Sequence, residues 1–118
     1  MNIAPVDPPR RFRVGQGGSV ELKDCARIRL EADEQVTFVT ASGKEYDIAA
    51  KNWGFYATPS VNGRLCAQGF KTALVRNSEG RYYVMLVEIS RLADFQAYVS
   101  GESNVVVEWL DERGRETP

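Results

Sequence analysis

Apolar and polar residues alternate along most of the chain in short runs, and turn-forming residues keep breaking those runs, which is the pattern of β-strands joined by hairpins. Residues 35–41 (QVTFVTA) and 44–49 (KEYDIA) flank Ser42-Gly43, a pair that suits a tight connection. Asn62-Gly63 is the strongest turn signal by type, since both residues accept the positive φ of a type I′ turn. A third turn, 77–80 (NSEG), separates KTALVR from RYYVMLVEI, whose β-branched and aromatic residues predict a central strand covered on both faces. VGQGGSV has the look of a phosphate loop but lacks GK[ST], and an alternating run follows it, so it reads as a turn.

One segment departs from period two. From Ser90, a cap-forming residue, Leu92, Phe95 and Val99 fall at helical spacing and Gly101 can end the run, so a helix is predicted over about 90–100. A last strand, 105–110 (VVVEWL), precedes a charged end. The prediction is therefore a mainly β fold of roughly seven to nine short antiparallel strands, as a rolled sheet, sandwich or open barrel with one helix in the C-terminal half. Residues 1–11, rich in proline and arginine, read as an extended or mobile arm, 12–110 as a single domain and 111–118 as a charged flexible tail.

Composition narrows the function classes. At 118 residues and 43% hydrophobic content the chain suits one modest core. A formal net charge of −1 gives no field to hold a polyanion, so nucleic acid is disfavoured despite eleven arginines to four lysines. Apolar runs such as 105–107 are far short of the roughly 18 residues a membrane span needs, so no membrane partner is expected. Asp7 and Pro8 interrupt any secretory core near the start, which predicts a cytoplasmic location. Cys25 and Cys66 form no CxxC pair and read as free thiols, buried or half-buried, with Cys25 on the apolar side of a strand.

The chain has no histidine, which removes the commonest general base and metal ligand along with Ser/His/Asp and Cys/His nucleophile systems. The acid-rich Glu31, Asp33 and Glu34 lack the spacing of a calcium loop and read as a solvated turn. No metal site and no cofactor are predicted. Glu88, Asp47 and Glu45 remain as carboxylates that could move a proton, Glu88 above all if burial raises its pKa.

The densest chemistry lies in 51–71, KNWGFYATPSVNGRLCAQGFK. Two readings stand open. In one, Trp53, Phe55, Leu65 and Phe70 fill one end of the core while Gly54 and Gly69 let the sheet curl. In the other, a binding surface combines the aromatics with Asn52, Trp53, Tyr56, Ser60, Asn62, Arg64 and Lys71, an apolar wall with a few placed polar groups. Arg64 beside the turn could bind carboxylate or phosphate through its planar fork. The second reading predicts a non-catalytic binding or interaction module, its contact surface within 52–71, for a polar small molecule or a protein partner, a second copy of the chain included. The alternative is a small metal-independent enzyme acting on a polar metabolite such as a sugar derivative.

Overall fold

The computed structural model describes residues 1–114, so the last four residues of the predicted tail lie outside the described residues. The chain is mainly β, as its alternation predicts. Its strands form three small antiparallel sheets, and no closed barrel is present among the described residues. The backbone groups into two compact units: Met1–Phe38 with Asp47–Thr58, and Val39–Tyr46 with the chain from Pro59 onward.

In the first unit, β1 (Asn2–Val14) and β2 (Val20–Arg29) form a long two-stranded antiparallel ribbon, paired from Asn2↔Arg29 at one end to Val14↔Val20 at the other. The segment read as an arm is thus paired strand. Its register shifts between Pro5 and Arg10, where Pro8 and Pro9 have no N–H to give to a ladder. The arginines beyond the shift are paired as well: Arg10 reaches Asp24 at 3.5 Å and Arg11 reaches Glu21 at 3.0 Å. Gly15, Gly17 and Gly18, all at positive φ, carry the connection, a 3₁₀ turn over Gln16–Gly18, so the glycine cluster is a turn followed by a strand. A two-stranded ribbon has water on both faces. Cys25 is accordingly exposed rather than on an apolar side, and the two cysteines do not form a disulfide.

A second sheet has the order β3 (Gln35–Val39), β4 (Glu45–Lys51), β5 (Gly54–Ala57). Gly43, at φ 90°, sits in the β3–β4 turn, whose ends are joined by Thr40 N–H to the Lys44 carbonyl at 2.8 Å. Ala49 and Ala50 of β4 are buried, and so is Asp47, which accepts a 2.5 Å hydrogen bond from the Thr37 hydroxyl.

In the second unit, β6 (Phe70–Arg76) runs between β7 (Tyr82–Glu88) and β8 (Val105–Trp109). The central strand is therefore KTALVR, not RYYVMLVEI. Phe70, Thr72, Ala73 and Val75 are all buried, which covers both faces of β6, whereas Tyr82, Tyr83 and Val84 of β7 are exposed. Small side chains at Thr72 and Ala73 let neighbours close over the middle strand. The bulkier, aromatic β7 sits at the edge. The turn before β7 matches its sequence: the Asn77 side-chain oxygen accepts from the N–H groups of Glu79 and Arg81.

Asn62-Gly63 does not form a hairpin turn. Gly63 has φ −122°, and the chain passes into a single helical turn, α1 (Arg64–Ala67). Leu65, fully buried, anchors that turn, and its N–H bonds the Ser60 carbonyl. The predicted C-terminal helix is α2 (Leu92–Gly101), with Val99 buried and Phe95 edge-on to Trp109 at 5.7 Å between ring centroids. Ser90 does not cap it; a 3₁₀ turn over Ile89–Arg91 leads in, and Arg91 holds Asp94 of the first turn.

Residue 111, assigned to the tail, belongs to the packed protein. Asp111 is 1% exposed and accepts from the Thr72 N–H and the Lys71 ammonium, each at 2.9 Å. A carboxylate in a hydrophilic run gives no hint of this, because the partners that make its burial tolerable lie forty residues earlier.

Candidate functional site

The 51–71 segment divides between the two units, and its halves have opposite character. Leu65 and Phe70, in the second unit, are buried as the core reading predicts. Trp53 and Phe55, in the first, are 68% and 66% exposed, and Tyr56 is 45% exposed. The core reading fails for Trp53 and Phe55, which ride with Tyr56 on a hairpin, β4–β5, whose register of Lys51↔Gly54 and Ala50↔Phe55 leaves Asn52 and Trp53 as its two-residue tip. The strand alternation then sends Tyr56 to the face opposite Phe55.

The tip is held by its own chemistry. Trp53 and Tyr56 stack at 6.0 Å between centroids with ring planes 25° apart, a contact between two rings that are otherwise in water. Lys51 at its base holds Asp33 at 2.5 Å, and this bond raises the lysine pKa above its ordinary value. Thr58 donates to the Gln35 side chain at 3.0 Å at the hairpin's other end. Asn52 is exposed beside Trp53.

Ser60, Asn62, Arg64 and Lys71 belong to the second unit. Ser60, Asn62 and Arg64 are exposed around the start of α1. A methyl group on Gly63 would come within 2.3 Å of the Ser60 hydroxyl oxygen, so glycine there lets the turn close. Lys71 is half-buried, paired with Asp111 and 4.8 Å from the centre of the Trp109 ring. Burial alone would raise the Asp111 pKa, but the Lys71 ammonium and the N–H groups of Thr72 and Asp111 itself outweigh it and hold the carboxyl below its usual range. Lys71 thus has a structural partner on the inner side of β6.

Of the carboxylates considered for proton transfer, Glu88 is set against that role. Glu88 accepts from the hydroxyls of Ser42 at 2.6 Å and Thr40 at 2.7 Å, and these bonds, Ser42 first, lower its pKa. A base working near neutrality needs the opposite shift. Glu45 is exposed, and burial pushes the neighbouring Tyr46 phenol up, away from neutrality. No group of three or more metal-ligating side chains comes together among the described residues, and none of their helices is long and apolar enough to cross a membrane.

One feature escapes the sequence pattern: an open groove of about 660 Å³ in the first unit, lined by Asn2 and Ala4 of β1, Arg27 through Leu30 of β2 and its end, and Phe55. Arg27 and Arg29, two residues apart on one strand, are the readable trace of it, since that spacing puts both on one face. The partner strand and Phe55 come to them only through the fold. The chain matches no protein-family model, no curated protein and no solved structure.

Proposed function

We propose that this protein is a non-catalytic binding module whose contact surface is built on the 52–71 segment, with the β4–β5 hairpin, Asn52 through Tyr56, as its principal part. The observation that carries the reading is the exposure of the stacked Trp53–Tyr56 pair, with Phe55 exposed on the face opposite Tyr56, on a hairpin braced by that stack and the Lys51–Asp33 pair. Large aromatics left in water cost burial that the fold could have used, and rigid amphipathic rings give contact area at small entropic loss, which is why they concentrate in binding surfaces. Ser60, Asn62 and Arg64, in the second unit, are exposed polar positions of the same segment. A polar small molecule with a flat face, or a protein surface including that of a second copy, is the occupant this combination suits.

The test is a residue-resolved ¹⁵N–¹H NMR titration with sugars, nucleotides, nucleotide sugars and short oligonucleotides, together with a concentration series of the protein alone. Saturable shifts centred on the Trp53 indole and the amides of residues 52–56, weakened in a Trp53→Ala variant that keeps the wild-type spectrum elsewhere, are expected. Binding that centres on other residues and survives Trp53→Ala unchanged would overturn the proposal.

A further inference from the structure

We infer that the groove between the Asn2–Arg29 end of the ribbon and Phe55 is a binding site for a small organic anion, one that carries a phosphate or carboxylate next to a flat ring. This rests on the reading of the β4–β5 hairpin as a contact surface and assigns a ligand class to its Phe55 face.

The ribbon's arginines divide into two sets. Arg10, Arg11 and Arg13, toward the turn, lie against Asp24 and Glu21. Arg27 and Arg29, at the other end, have no ion-pair partner among the described residues, although both are on the same pair of strands. Their cross-strand neighbours are Ala4 and Asn2, small residues that leave the groove open above them. No carboxylate lines it. Two guanidinium groups on one strand face repel each other, and an anion seated between them relieves that repulsion through charge-assisted, bidentate hydrogen bonds.

The rest of the lining fixes the non-ionic part of the ligand. Phe55 offers a ring face in water, Ile28 and Leu30 add apolar wall, and the Asn2 side chain carries both a donor and an acceptor. A volume of about 660 Å³ falls within the range of small-molecule sites and exceeds what a bare phosphate fills. The geometry therefore favours an anion attached to a ring over an inorganic ion.

The experiment uses the whole chain labelled for NMR, following the arginine Nε–H signals, the Phe55 ring and the Trp53 indole, with four probes: adenosine monophosphate, indole-3-acetate, adenosine and inorganic phosphate. Adenosine monophosphate or indole-3-acetate should shift Arg27, Arg29 and Phe55 saturably, and whichever binds tighter identifies the anionic group preferred. Adenosine should bind at least roughly tenfold more weakly than adenosine monophosphate, and the Arg27→Gln/Arg29→Gln variant should lose roughly tenfold or more in affinity, the scale of one lost charge-assisted contact or more. Adenosine binding as well as its monophosphate, or a double variant with the wild-type spectrum and unchanged affinity, overturns the inference. Shifts at Trp53 and Tyr56 that leave Arg27 and Arg29 still would also overturn it while sparing the contact surface, so the two proposals fail separately.

Discussion

Glu88 shows how much a single side chain's surroundings decide. On sequence it is a carboxylate at the end of an apolar strand, where burial would make it a weak acid suited to catalysis; in the fold the Ser42 and Thr40 hydroxyls solvate it instead and hold its pKa down. A carboxyl whose folded-state pKa lies below its unfolded value stabilises the protein fully above the unfolded value, about 4.3 for glutamate, and loses that contribution as pH falls through the folded value. The stability advantage of the wild type over a Glu88→Gln variant should accordingly shrink between pH 5 and strongly acidic conditions, measured by urea unfolding across that range. A Glu88 carboxyl that titrates at or above the ordinary glutamate value by NMR would contradict this account. Asp111 teaches the same lesson in reverse, because its charge reads as tail and its partners, Lys71 and the Thr72 N–H, exist only after β6 has formed.

At the level of elements, local signals were legible where they were self-contained. The Ser42-Gly43 and 77–80 turns and the α2 stripe all appear, since each depends on residues within a few positions of one another. Signals that depend on distant pairing were not: the proline-rich start becomes β1 because β2 is there to pair with it, and β6 rather than β7 becomes central because small residues let cover approach it from both sides. Asn62-Gly63 has the right chemistry for a hairpin, yet Leu65 two positions on goes into the core and draws the chain into α1. That single helical turn is too short to be stable by itself. Its anchor should then be costly to remove: Leu65→Ala is expected to destabilise the protein by about 2–5 kcal/mol in chemical denaturation. A loss below about 0.5 kcal/mol, the range of an ordinary surface substitution, would mean that α1 is not tied down by Leu65.

At the scale of the whole molecule, the segment that composition singles out serves two ends. Its later half supplies core through Leu65 and Phe70, and its earlier half presents Trp53, Phe55 and Tyr56 to solvent. Sequence pattern located the segment but could not sort its aromatics, because burial depends on whether the strand they occupy is covered, and the β4–β5 hairpin is not covered at its tip. The proposed contact surface requires that exposure. Acrylamide quenching of tryptophan fluorescence, in a Trp109→Phe variant that leaves Trp53 as the sole emitter, tests it directly. Emission near that of fully hydrated indole and quenching close to that of a free tryptophan are predicted, unchanged as the protein is diluted. Blue-shifted emission that resists quenching even at high dilution would place Trp53 in the core and contradict the contact surface.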